Sequence, residues 1–177
     1  PSIKAVLIAG PSSSGKTTFS KKLNKGLEKY GIHSQCISLD DYYVDRELTP
    51  LDENGEYDFE SIHAINIDQF QTDLSDLLSG KEVELPRYEF RTGKSVKSGR
   101  HISLGDSSVL IIEGIHGLNP LLTQRLPADR LFRIYISGLT VAKNDDGTYF
   151  PTTDNRLIRR MVRDAQFRNT TASATLS

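Results

Sequence analysis

Sulfur and tryptophan are almost missing from this chain: one cysteine (Cys36), one methionine and no Trp in 177 residues. A lone cysteine excludes an internal disulfide framework and a cysteine-built zinc cluster, and it fits a reducing, cytoplasmic setting. Nowhere do about 18 apolar residues run together, so no stretch reads as a membrane-spanning helix. An excess of one charge is also lacking, with 22 basic against 23 acidic residues. General nucleic-acid binding wants a basic domain, so that class is set aside. The 37% hydrophobic and 25% charged residues exclude a fibrous or wholly disordered chain. Residues 1–177 read as a single domain, long enough for one core and too short for two. The chain starts at Pro1 rather than Met and enters an apolar segment without a signal-peptide pattern, so it reads as a piece of a longer protein.

The balanced charge is unevenly spread. Residues 40–89 hold fifteen acids against three bases, and residues 130–177 hold eight bases against four acids. Ala5-Val6-Leu7-Ile8-Ala9 is a short apolar run, as expected of a strand buried on both faces. A helix follows from about Lys16 to Tyr30, with Phe19, Leu23, Leu27 and Tyr30 as its inner stripe and Gly31 at its end. Gln35 to Leu39 reads as a strand, and residues 40–60 as a long loop of the kind that often carries function. Asn66 opens a helix with Gln69 as a capping partner, Phe70, Leu74, Leu77 and Leu78 facing inward, and Gly80 as its stop. Residues 81–105 look like a hairpin-like arm. Val109–Ile112 is a second buried strand, Asn119-Pro120 opens a short helix, and Leu131–Ile136 is another strand. Asp146-Gly147 signals a turn, and a last helix runs from about Asp154 to Phe167. Strands alternating with helices predict an α/β domain with a parallel sheet covered on both faces.

Gly10-Pro11-Ser12-Ser13-Ser14-Gly15-Lys16-Thr17 fits the phosphate-binding pattern G-x-x-x-x-G-K-[ST] in full. The glycines let successive N–H groups curl around phosphate oxygens, Lys16 neutralises the β and γ phosphates, and Thr17 offers a hydroxyl to Mg²⁺. The nucleotide-binding set is Gly10, Ser12, Ser13, Ser14, Gly15, Lys16, Thr17 and Thr18, at the positive end of the following helix. A carboxylate at the end of a buried strand, Glu113, suits the metal. Asp40 and Asp41 follow the second strand at the same sheet edge, and either could accept a substrate proton. On the last helix Arg156, Arg159, Arg160 and Arg163 share one face, while Leu157, Ile158, Met161, Val162 and Ala165 share the opposite one. The apolar side is expected to pack on the body and the arginines to clamp a transferring phosphate.

In order along nearly its whole length, the chain resembles the uridine kinase and phosphoribulokinase family of P-loop kinases. The P-loop, Ser38-Leu39-Asp40-Asp41-Tyr42-Tyr43, Tyr57-Asp58-Phe59-Glu60, Pro86-Arg87-Tyr88-Glu89-Phe90, Ile112-Glu113-Gly114-Ile115 and Arg156-Leu157-Ile158-Arg159-Arg160-Met161-Val162-Arg163-Asp164 each match a family segment. The resemblance implies a P-loop fold with a substrate-side arm over 81–105 and a lid over 138–168. It implies ATP and Mg²⁺ as cofactors, with Thr17 and Glu113 at the metal. Asp40, Lys16, Arg159 and Arg160 would be catalytic. Asp58 would hold ribose hydroxyls, Tyr42 and Tyr43 would line the sugar side, Tyr88 and Phe90 would wall the base, and Arg156 and Arg163 would join the substrate site. The segment from Gly138 to Thr153 would be a mobile hinge. The family's pyrimidine-reading His beyond the arm has Arg91-Thr92-Gly93-Lys94 in its place, and its His-Pro-Asp-Ala segment is replaced by Phe59-Glu60-Ser61-Ile62-His63-Ala64. His63, His101 and His116 lack metal-ligand spacing. The chain is similar to the kinase half of longer bacterial proteins whose N-terminal half resembles part of threonyl-tRNA synthetase.

The expected function is ATP-dependent phosphorylation of a small molecule, with the 5′-hydroxyl of a nucleoside such as uridine as the favoured acceptor and a homo-oligomer as a possible assembly. A nucleotide-dependent regulatory module and a kinase for another sugar-like acceptor stay open. A guanine-nucleotide switch would want Asn-Lys-x-Asp, and Lys143-Asn144-Asp145 has the wrong order.

Overall fold

The computed structural model describes residues 3–138, 143–167 and 171–176. Strands β1 (Ala5–Ala9), β2 (Ser34–Ser38), β5 (Val109–Glu113) and β6 (Leu131–Tyr135) form one sheet in the order β2-β5-β1-β6. All its pairings are parallel. The expected doubly covered α/β fold is present. Side chains alternate across the sheet, so Val6, Ile8, Val109 and Ile111 face α1 (Lys16–Lys29) and Leu7, Ile37, Leu110 and Ile112 face α2 (Ile67–Leu78) and its neighbours. Register pairs Glu113 with both Ile8 and Ser38. That alignment brings the P-loop after β1, the loop after β2 and the Glu113 end of β5 to one edge.

Helix α1 is rotated from the face its apolar stripe predicts. Its inward line is Lys16, Ser20, Leu23 and Leu27, while Phe19 is 38% and Tyr30 85% exposed. At about 100° per residue those four positions share one line, and Phe19 and Tyr30 fall to its flank. The lysine of the phosphate loop has to face the sheet edge, and that requirement sets the rotation of the whole helix.

Helix α2 starts as expected: the Asn66 side chain accepts the Gln69 backbone N–H at 3.1 Å, which satisfies one of the unpaired donors of the first turn. Phe70, Leu74 and Leu77 are buried, and Gly80 at φ +81° ends the element. The arm is a two-stranded antiparallel hairpin of β3 (Val83–Glu89) and β4 (Lys94–Ile102). Its register slips between Leu85 and Pro86, because proline brings no N–H to the ladder. Asn119 caps the short α3 (Pro120–Thr123).

Helix α4 (Thr152–Phe167) corrects one expectation. Its apolar face does not pack on the body among the described residues: Ile158 is 47% and Val162 50% exposed. The arginine face is the one turned to the molecule, so the opposite face points outward. Asp146-Gly147 forms the expected turn, with the Gly147 N–H on the Asn144 carbonyl. The tail holds a short helix, α5 (Ala172–Leu176), where the sequence is weakly patterned. Of the expected hinge and lid, residues 139–142 and 168 lie outside the described residues. No helix among the described residues is long and apolar enough to cross a membrane.

Candidate active site

The P-loop backbone curls because two of its positions take a left-handed conformation, Ser13 at φ 60° and Gly15 at φ 100°. Gly10 is fixed by space: a Cβ there would sit 2.4 Å from the Ile136 carbonyl oxygen. Lys16 is only 8% exposed, and its Nζ donates to the Pro11 carbonyl at 3.1 Å, bridging the loop. Burial lowers its pKa, against the opposing pull of Glu113 and Asp40. The Ser13 and Ser14 hydroxyls are buried with no hydrogen-bond partner among the described residues. They suit a ligand rich in acceptor oxygens.

Glu113, 6% exposed, accepts the Thr17 hydroxyl at 2.9 Å and the Ser38 hydroxyl at 3.2 Å on the same oxygen, Oε1. Burial is the main reason its pKa rises. One carboxylate flanked by two hydroxyls is a hard oxygen set. It fits Mg²⁺, which takes few protein ligands and fills its octahedron with water and phosphate oxygens. Ser38 is a residue that the sequence reading missed; its position two before Asp40, at the end of β2, was the available signal. Among the described residues no group of three or more His, Cys, Asp or Glu could hold a metal alone.

A cleft of about 320 Å³ opens over the loop. Its phosphate wall carries Ser12, Ser13, Gly15, Lys16, Thr17 and Thr18, with Arg159, Arg160 and Arg163 from α4 above them. Asp40, Tyr43, Phe59, Glu60, Glu113 and Ile115 complete its lining. Asp40 and Asp41 part ways although adjacent. Asp40 lines the cleft, whereas Asp41 turns to the arm, where it accepts the Tyr88 backbone N–H. Burial, then the charge of Asp40, raises the Asp41 pKa.

The arginine helix is tied down at its inner face. Arg156 Nε donates to the Ser12 carbonyl at 3.3 Å and Arg163 Nη1 to the Ser12 hydroxyl at 2.9 Å. Asp164, buried, pairs with Arg163 at 2.7 Å and Arg160 at 3.7 Å. It orients both guanidiniums and spaces their like charges. Its place four residues after Arg160 was a helical pairing signal in the sequence.

Several expected substrate residues lie elsewhere. Tyr42 is in the core, edge-on to Phe70, its hydroxyl donating to Asp73 at 3.0 Å. Tyr88 is buried and Phe90 half-buried behind Tyr43, all three in edge-to-face contact. Apolar rings in a polar loop find more buried area against one another than at a wet cleft. Of the expected aromatics only Tyr43 lines the cleft, and Phe59 joins it there. Asp58 is not among the lining residues; one of its oxygens accepts the backbone N–H groups of Glu60 and Ser61 at 2.9 and 3.0 Å. Phe59, Glu60 and Ile115 stand in the quoted segments Tyr57–Glu60 and Ile112–Ile115 but were given no role, because the fold of the surrounding loops decides which of their residues reach the cleft.

Residues 5–136 match the model of the phosphoribulokinase/uridine kinase family. A uridine kinase of Staphylococcus aureus strain JH9 is 30% identical over 162 residues, covering 91% of this chain and 68% of that protein. A solved structure of a possible uridine kinase from Bacillus stearothermophilus superposes with a TM-score of 0.61 at 21% identity, covering 96% of this chain and 88% of the other. The parallel sheet, the phosphate loop and these matches lead to one statement: the chain belongs to the phosphoribulokinase/uridine kinase family and is a P-loop phosphotransferase acting on small molecules.

Proposed function

We propose that the chain transfers the γ-phosphate of Mg²⁺-bound ATP to a hydroxyl of a small acceptor, the 5′-hydroxyl of a nucleoside such as uridine being the favoured one. The observation that carries this reading is the cleft that Asp40 shares with Lys16, Glu113 and the arginines of α4. Asp40 accepts the acceptor's proton as its oxygen bonds to the γ-phosphorus and the bond to the β-phosphate oxygen breaks. Lys16 meets the charge on the β and γ phosphates. Arg159, Arg160 and Arg163 stabilise the charge that builds up during transfer, where fixed cations act most strongly. Thr17, Glu113 and Ser38 would hold Mg²⁺, which would offset phosphate charge there. The lid role of α4, the acceptor-side role of the arm and a reducing, cytoplasmic setting belong to the same reading.

A second acceptor class has one observation in its favour. Tyr88 and Phe90, expected as walls for a flat base, pack against Tyr43 and do not line the cleft, so this pair does not ask for a base on the acceptor. The test is a panel of nucleosides and free sugars incubated with γ-labelled ATP. Label in a nucleoside 5′-monophosphate supports the favoured acceptor, and label in a sugar alone supports the second. ATP bound with label in no acceptor would overturn the kinase reading.

A further inference from the structure

The sequence concentrates nine acids against the single base Arg46 over residues 40–60, and two of them, Asp40 and Glu60, line the cleft. Part of that charge is spoken for. Lys94 pairs with Asp45 and Glu47, and Asp52 holds the backbone N–H groups of Asn54 and Glu56. Asp40 and Glu60 line the same cleft as Lys16 and the α4 arginines, and Asp40 is near enough to Lys16 to act on its charge. Glu60 is exposed, and the Asp58 carboxylate fixes its backbone N–H. The lining therefore carries both signs, cations from the P-loop and α4 and acids from the segment after β2.

We infer that this polarity selects the acceptor by charge: the cleft takes an uncharged, hydroxyl-bearing acceptor and excludes one that already carries a phosphate, with Glu60 as a specificity-determining residue. The inference rests on the kinase reading above. Phosphates of ATP are drawn to the cations of the lining, and a second anion on the acceptor would meet its acids. Like charges facing each other at a recognition surface select against the wrong partner. Asp40 is needed for the proton and cannot be exchanged freely, so Glu60 is the position at which selectivity can be altered apart from chemistry.

The test uses matched acceptors that share a free hydroxyl: ribulose with ribulose 5-phosphate, fructose with fructose 6-phosphate, and uridine as a neutral reference. Labelled-ATP kinetics are run on the parent, Glu60→Gln and Glu60→Lys, and thermal melts check folding. The parent should use neutral acceptors and disfavour phosphorylated ones by at least about tenfold in kcat/KM, a preference that shrinks as salt screens these charges. Glu60→Gln should narrow the ratio and Glu60→Lys should narrow it further, mainly through a lower KM for the phosphorylated member. A parent that uses a phosphorylated acceptor as well as its neutral partner overturns the inference and leaves the kinase reading standing. So does a ratio that stays the same in the folded Glu60→Lys protein. Bound ATP with transfer to no acceptor of either kind overturns the kinase reading and the inference with it.

Discussion

Lys16 sits at the tightest point of the site, bridged to the Pro11 carbonyl and almost wholly covered. On the proposed reading its charge serves phosphate rather than packing. Lys16→Ala is expected to fold with an unchanged circular-dichroism spectrum and to lose about 10²-fold or more in turnover, the scale of one removed charge-stabilising donor. Near-parent turnover would detach the P-loop from the chemistry. The adjacent pair Asp40 and Asp41 should separate in the same kind of assay. Asp41 is turned to the arm, with a pKa raised by burial, so a charge there costs the folded state. Asp41→Asn keeps an acceptor for the Tyr88 N–H and removes that charge. It should therefore melt higher than the parent at pH 7 with little change in turnover. A raised carboxylate pKa means that the folded state binds the proton more tightly than the unfolded one. The parent's handicap is thus present above the folded pKa and fades as pH falls through it, so melts across pH 4–7 should converge at the acid end. A gap that widens toward acid would contradict this assignment.

The elements differ in how much of them the sequence announces. Strands β1 and β5, the cap at Asn66 and the hairpin are legible because each is written in neighbouring residues: an apolar run, a side chain three residues from its N–H, two extended segments around Gly93. The rotation of α1 is not, because its apolar stripe carries no record that Lys16 must reach phosphate. The outward apolar face of α4 is not, because helical periodicity divides the residues into faces without saying which face docks. Arg46 pins the arm, donating to the Phe90 carbonyl at 2.7 Å and closing over Gly93. Gly93 adopts φ +70°, and a Cβ there would lie 2.8 Å from Arg46 atoms. Gly93→Ala should cost at least about 1–2 kcal/mol in chemical denaturation from the left-handed backbone alone; an unchanged midpoint would show that this turn is free to rearrange. On α4, Arg159→Ala should lower kcat about tenfold or more and ATP affinity less, since the clamp acts on charge formed in transfer. A folded Arg159→Ala protein with parent kinetics would remove the helix from the mechanism. Exposed side chains without such a role change stability by about 0.5 kcal/mol and leave rate alone.

For the molecule as a whole, the parallel order β2-β5-β1-β6 delivers three chain segments to one sheet edge, where ligands of open α/β sheets bind. The P-loop end of the cleft was legible in the sequence, since a P-loop, an acid after β2 and an acid ending β5 are all local patterns and all line it. The acceptor end was not, because Tyr42, Tyr88 and Phe90 are assigned to core or cleft by long-range packing that no short motif records. The central claim is that Asp40 and the P-loop act on one phosphate in one cleft. A single-turnover experiment tests it most directly, with γ-labelled ATP bound to the parent and to Asp40→Asn, and with uridine and then the free sugars added as acceptors. Asp40→Asn should bind ATP with near-parent affinity yet transfer label about 10²–10⁴-fold more slowly. Transfer at the parent rate in the Asp40→Asn protein would contradict the account.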